Sequence, residues 1–425
     1  MKKFLYLVVG VLILIFVLWL FPEPMPEYIP ERDYIDMEAE ILESFILAKD
    51  SSVIQLPEGH FLFSQALSLD DKKHLTIRGM GMDKTILSFK GQVKGAEGIK
   101  VTQCKNLIIE DHAIEDAAGD NLKISDSDSI VLRRVRSAWT GKVSTKNGAY
   151  ALYPVLCSNL LIEECEAIGA SDAGIYVGQS KNVIIRNNKA YYNVAGIESE
   201  NSSNVEIYGN EAYENTTGLL IFNLPQLTVY GENIRAYNNT IYNNNIPNFG
   251  VKGSIVSAVP KGTGVVIMAT KNVTFSKNTI RDHKTVNLSV VSYELFAADD
   301  DPENTTLDQE AENRGIRSVD PDYTQDVTYN AYPKDILIHE NAFENKFSFP
   351  TLSNDYGILM FMKNKMTIPD IVYDGILPKN IPLQSPEYKI CLHNNGEINF
   401  VMMDAANDFE NFSNDQTPFD CKMIL

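Results

Sequence analysis

Three stretches decide the fold when set one above another: AGIYVGQSKNVIIRNN (Ala173–Asn188), AGIESENSSNVEIYGN (Ala195–Asn210) and TGVVIMATKNVTFSKN (Thr263–Asn278). They share one frame: a small residue, Gly, apolar-x-apolar, a polar turn, Asn, apolar-x-apolar, and a second Asn. The middle Asn can serve as an anchor. Its column continues through Asn106, Ser129, Asn159, Asn182, Asn204, Asn233, Asn272 and Asp335. Successive separations are 23, 30, 23, 22, 29, 39 and 63, so the basic period is 22–23 residues with insertions at the longer gaps. Eight residues before the anchor stand Gly98, Asn121, Ala151, Gly174, Gly196 and Gly264. Six after it stand Asn188, Asn210, Asn239, Asn278 and Asn341.

A fixed period of this length is the mark of a solenoid. Each unit carries short runs of alternating polarity, as in Ile175/Val177, Leu219/Ile221 and Val265/Ile267. That is the period-2 pattern of strands. No single unit can bury its apolar side, but stacked units form long parallel sheets around one core. The Asn columns read as ladders whose amides satisfy one another and the turn backbone from coil to coil. The spacing predicts an all-β stack of 22–23-residue coils over 51–366, with an acidic insertion over 294–329 that contains ADDDPEN. A short amphipathic helix is expected over 37–50, covering the open end of the stack, and a C-terminal cap over 367–425.

The chain also carries an address. Phe4 to Phe21 holds no charge, follows Lys2 and Lys3, and is nearly long enough to span a bilayer. It ends in Phe-Pro-Glu-Pro with no small-residue cleavage motif. An uncleaved membrane anchor over 1–21 is expected, a cleaved secretory signal being the alternative. Either reading places the domain beyond the cytoplasmic membrane, on the periplasmic or extracellular side. A proline-rich linker over 22–36 then reads as a stiff spacer. The formal charge of −19 argues against nucleic-acid binding. Five cysteines show no metal-binding spacing. In an oxidising compartment Cys391 and Cys421, together in the C-terminal tail, are the candidate disulfide pair.

From about Val53 to Cys421 the chain resembles the right-handed parallel β-helix, the fold of pectate-lyase-like carbohydrate-active proteins. More narrowly it resembles bacterial parallel β-helix repeat proteins, a group often encoded beside a di-haem c-type cytochrome. The resemblance is carried by LTIRGMGMDKTILSFKGQ (from Leu75), NGAYALYP (from Asn147), IGASDAGIYVGQS (from Ile168), YNVAGIE (from Tyr192) and the ending with Cys421. It implies a single-stranded right-handed β-helix and, for substrate, a groove on the outer face of one parallel sheet.

The frame predicts which side chains occupy that face. Six residues before successive anchors stand Lys100, Lys123, Tyr153, Tyr176 and Glu198, expected as an exposed ladder. Later coils offer Leu220, Phe222, Val266, Met268, Leu359 and Phe361, a greasy end. One reading is catalytic. Lys100 and Lys123 would hold a sugar carboxylate, and Tyr153 or Tyr176, its pKa lowered by a neighbouring cation, would exchange the proton in lyase or epimerase chemistry. Lys123, Tyr153 and Tyr176 are the candidate catalytic residues. Lys100, Glu198, Asp120, Asp172, Asn147 and Tyr150 are the candidate substrate contacts. On this reading the protein either only binds an acidic polysaccharide or also modifies it. The rival is a non-catalytic scaffold whose greasy end docks a protein such as a periplasmic c-type cytochrome. Neither requires a cofactor, although the acidic loop has the composition to hold calcium. The stretch NGAYALYPV (Asn147–Val155) marks the expected centre of the site. A seven-residue insertion, an inward Pro154 and two tyrosines coincide there.

Overall fold

The computed structural model describes residues 24–30, 32–297, 306–307, 311–312 and 316–421. The expected membrane anchor, 1–21, lies outside them. Among the described residues no helix is long and apolar enough to cross a membrane.

The repeat frame becomes a parallel β-helix. Each coil contributes one strand to an eleven-stranded sheet that runs from Gln65–Asp70 at one end to Phe400–Met402 at the other. Neighbours in this sheet are always the equivalent strands of successive coils, and all its pairings are parallel. Two further parallel ladders wind round the other sides. Lys105–Glu115 and Asp128–Ala138 contribute to both, bending at Asp111 and Arg134, where φ is 59° and 50°. The apolar residues of all three faces point inward to one continuous core.

The anchor column sits at a sharp turn. All eight anchors have φ between 53° and 61°. Asn and Asp tolerate this left-handed region better than other residues with a Cβ. Their side chains form a surface ladder: Asn182 donates to Asn159 at 3.0 Å, Asn204 to Asn182 at 3.0 Å and Asn272 to Asn233 at 3.0 Å. The second Asn column is buried. Asn188, Asn210, Asn239, Asn278, Asn341 and Asn395 each pass a hydrogen bond to the next at 2.9–3.1 Å. Asn239 shows what each rung does. Its Oδ1 accepts from the backbone and side chain of Asn210, and its Nδ2 donates to the Ile207 carbonyl and to Asn278. Asn239→Ala therefore strands several buried groups and is expected to cost about 2–3 kcal/mol. Chemical denaturation checks this, and a loss under about 0.5 kcal/mol would count against the ladder as a source of stability.

A third ladder explains the glycine column. Asn193, Asn215 and Asn244 link at 2.9–3.0 Å, and Asn244 donates to Nε2 of His283 at 3.1 Å. Burial holds His283 neutral, its pKa down at about 4, so Nε2 accepts while Nδ1–H donates to Asn287. This ladder packs directly on the glycines. A Cβ on Gly174 would stand 2.6 Å from Asn193, and one on Gly264 2.7 Å from His283.

The ends depart from the sequence frame. A helix, Glu38–Ile46, puts Ile41 and Phe45 into the core beside the terminal strand Gln65–Asp70. Past residue 367 the coils continue. Ile371–Tyr373 and Phe400–Met402 extend the eleven-stranded sheet, and Ile390–His393 extends another. The segment expected as a cap over 367–425 thus carries further coils, with Asn395 continuing the buried Asn ladder. Cys391 and Cys421 are disulfide-bonded, with Cα atoms 5.1 Å apart. The proline-rich segment is no free spacer where it is described. Glu27–Tyr28 pairs antiparallel with Gly141–Lys142, and Arg32 forms an ion pair with the fully buried Glu115. Proline here limits strand length without preventing a two-residue pairing.

A second apolar layer forms outside the eleven-stranded sheet. Phe249, Ile255, Val259, Leu307, Ile316 and Val319 cover Leu220, Phe222, Val266 and Met268. The predicted greasy end is thus closed by the chain's own insertions, and it no longer argues for a docked partner. Leu359 and Phe361 are not on the sheet at all; they lie on a helix, Asp355–Lys363. Its N-cap Asn354 accepts from Gly357 N.

Candidate functional site

The predicted ladder has the register the frame gave it. Lys100 pairs with Lys123, Lys123 with Tyr153, and Tyr176 with Glu198. Its exposure is what the sequence misjudged. Lys100 is exposed, but Tyr153, Tyr176 and Glu198 are 7%, 4% and 1% exposed. The insertions roof over this part of the face, and burial by a loop distant in sequence leaves no trace in a local pattern.

Under the roof the rings of Tyr150, Tyr153 and Tyr176 form a triad with centroids 4.3, 4.5 and 4.9 Å apart. Lys123 lies over the Tyr153 ring at 4.8 Å, with its Nζ 4.0 Å from Glu97. The strand Tyr150–Val155 pairs through Tyr153 and Pro154 with the preceding coil. Toward the following coil the pairing skips both, running from Leu152–Ile175 to Val155–Gly178. Pro154 therefore sits in a central strand where the ladder is locally interrupted, as its missing N–H demands.

The candidate residues take different roles here, on physical grounds. Asp120 accepts from the Tyr150 N–H at 3.1 Å and caps the strand entry. Asn147 donates to the Gly169 carbonyl at 2.6 Å and holds the turn. Asp172 is buried beside Tyr150 and Glu198, whose pKa values burial raises first and the Asp172 charge second. The lowered pKa expected of Tyr153 or Tyr176 beside a cation is not found. Burial first, then neighbouring acids, pushes Tyr150, Tyr153 and Tyr176 above the ordinary phenol value. The positive charge of Lys123 faces Glu97 as well as the ring, and the phenols remain proton donors.

The group that sequence reasoning left off its candidate list is Glu200. It lies two residues beyond Glu198 on the same outward face and is 3% exposed. Tyr176 reaches it with a hydrogen bond. Gly178 permits that reach, because a Cβ there would stand 2.1 Å from the Tyr176 hydroxyl. Burial raises Glu200 to about 7, with Tyr176 and Arg317 opposing. Burial, then Asp172 and Glu200, raises Glu198 well above the carboxylate range. Glu198 Oε1 is buried without a hydrogen-bond partner. The signal available in sequence was the Glu-x-Glu of AGIESEN, two like charges on one strand face. Such a pair shares protons rather than ionising together.

Other polar residues serve the frame. Cys165 N–H donates to Asn188 at 2.9 Å, and His112 is buried with Nδ1 on the Glu110 carbonyl. Among the described residues no group of three or more His, Cys, Asp or Glu is arranged to hold a metal. Much of the acidic loop, 298–305, lies outside them.

Several solved structures align over most of the chain. They include the mannuronan C-5 epimerase AlgE4 A-module of Azotobacter vinelandii, at 14% identity over 86% of this chain and 92% of that one, with a TM-score of 0.46. The exopolygalacturonase of Thermotoga maritima aligns at 12% identity over 77% and 91%, TM-score 0.41. A DFA-IIIase mutant of Arthrobacter chlorophenolicus A6 aligns at 9% identity over 84% and 91%, TM-score 0.48. No curated protein matches the chain in sequence. Residues 136–297 match the family model described as "Right handed beta helix region", and with parallel coils stacked along its length the chain is a right-handed parallel β-helix protein.

Proposed function

We propose that this protein binds and modifies an acidic polysaccharide on the outward face of the eleven-stranded sheet, on the extracytoplasmic side of a membrane that its N-terminal segment enters. One observation carries the reading: Glu198 and Glu200 lie side by side, buried, with one Glu198 oxygen unpartnered. Strongly shifted acids in a low-dielectric site are typical of proton-transfer centres. A carboxyl near pH 7 is suited to general acid–base work. Tyr153 and Tyr176 supply phenol donors beside it, and Arg317 supplies positive charge. Lys123 and Lys100 stand three and four coils from Glu198 on the part of the sheet the insertions leave open. They suit a sugar carboxylate. Turnover on this reading requires the roof to move, because the acids are covered as described.

The full chain in detergent micelles, screened against uronate polymers, tests it. The readouts are new ultraviolet absorbance from unsaturated uronates, nuclear magnetic resonance for epimerisation, and retention on immobilised polymer. Glu200→Gln is expected to lower turnover about 100-fold, and Lys100→Ala to raise KM with little change in kcat. Absence of both binding and turnover across the uronate polymers sinks the proposal.

A further inference from the structure

The described chain begins at Pro24, and its position is informative. Pro24, Met25 and Pro26 line an open hollow of about 420 Å³ together with Tyr192, Lys284 and Phe347. This hollow is on the flank of the solenoid, midway along it, and not at the end where the helix Glu38–Ile46 sits. The N-terminal segment runs back from there along the body, held by the Glu27–Tyr28 pairing and by Arg32 on Glu115.

The surface around this point differs from the rest of a chain whose net charge is −19. Lys284 and Lys346 both lie over the Phe347 ring, at 5.5 and 5.2 Å. Glu214 is the acid that lines the hollow, and Asp282 close by is engaged by Arg281 and Lys346. Two residues on, Phe349 is 53% exposed and meets Phe361 edge to face at 6.4 Å. The adjoining Met362 is 75% exposed. Lysines interleaved with exposed aromatic and thioether side chains match the polar–apolar gradient of a bilayer interface.

Resting on the membrane-anchor reading, we infer that this flank, carrying Lys284, Lys346, Phe347 and Phe349, lies against the bilayer, so that the solenoid axis runs along the membrane and not away from it. Reach makes the inference. The uncharged run ends at Phe21, and three residues to Pro24 span at most about 10 Å. If that run is embedded, Pro24 and the side chains around it must stand at headgroup level. The exposed aromatics then enter the interface, and the lysines meet anionic headgroups.

The test uses the full chain carrying Trp19→Phe, reconstituted in phosphatidylcholine vesicles with about 30 mol% phosphatidylglycerol. The acyl chains are brominated near the headgroup. Trp139 stays as a constant buried background, 4% exposed. Phe349→Trp is expected to add fluorescence that bromolipid quenches about twofold or more. Val93→Trp, on a loop elsewhere and 76% exposed in the native residue, is expected to be unquenched. Equal quenching of the two, or none at Phe349→Trp in vesicle-bound protein, overturns the orientation. Protein that fails to float with the vesicles overturns the anchor reading and the orientation with it, and leaves the polysaccharide proposal standing.

Discussion

Replacing Arg32 by alanine is expected to destabilise the fold by about 3–5 kcal/mol, read as a lowered midpoint in chemical denaturation. Arg32 approaches Glu115 with both Nη2, at 2.5 Å, and Nε, at 3.2 Å. The Glu115 side chain is fully buried and the arginine side chain is 14% exposed. Glu115 belongs to the strand Lys105–Glu115, which also pairs with Asp128–Ala138. A segment that precedes the solenoid in sequence thus neutralises a charge inside it. Removing the guanidinium leaves a carboxylate with no access to water, which costs far more than the pair itself contributes. Arg32→Ala combined with Glu115→Gln should recover most of the loss, because a neutral amide needs only hydrogen bonds. A single-variant loss below about 1 kcal/mol would show that the segment does not clamp the body.

How much of this was legible in the sequence depends on the range of the interaction. The Asn and Gly columns gave the coil and the register, because each coil repeats the same local turn and the same inward pair. Lys100–Lys123 and Tyr176–Glu198 stand where the frame placed them. The third Asn ladder was missed although Asn193, Asn215 and Asn244 recur eleven residues after the anchors Asn182, Asn204 and Asn233. Its trace was the glycine column it packs on. Burial of the site was not legible. Nothing local in Tyr153 records that it will be buried in one apolar cluster with Phe249, Leu307 and Ile316. Arg32 and Glu115, separated by 83 residues, are invisible to any period. The chemistry changed accordingly. A tyrosine beside a lysine was expected to have a lowered pKa, whereas the roofed tyrosines beside carboxylates have raised ones.

The roof makes a second prediction, in pH. Glu200 has an ordinary carboxyl value when unfolded and about 7 when folded, so the folded state holds a proton the unfolded state has lost between those values. Its contribution is complete at and below pH 4.5 and is lost as pH rises toward and past 7. Burial raises Glu198 and Asp374 in the same direction. His283 opposes them. Its folded value near 4 makes the protein gain stability from pH 4 to 6.5. The wild-type profile therefore mixes two slopes, and the informative quantity is a difference. Glu200→Gln keeps the shape and cannot ionise. Relative to the native chain it is expected to gain about 3 kcal/mol between pH 5 and 8. At pH 5, where native Glu200 is itself protonated, the two should be close. The groups facing Glu200 are Tyr176, Glu198 and Arg317, so Arg317→Ala, which removes the one cation among them, should steepen the native decline. Paired denaturation curves at pH 5 and 8 decide the matter. If the gap between Glu200→Gln and the native chain is flat across that range, the carboxyl is ionised in the fold, and the acid pair has neither the proton nor the buried environment on which its chemistry depends.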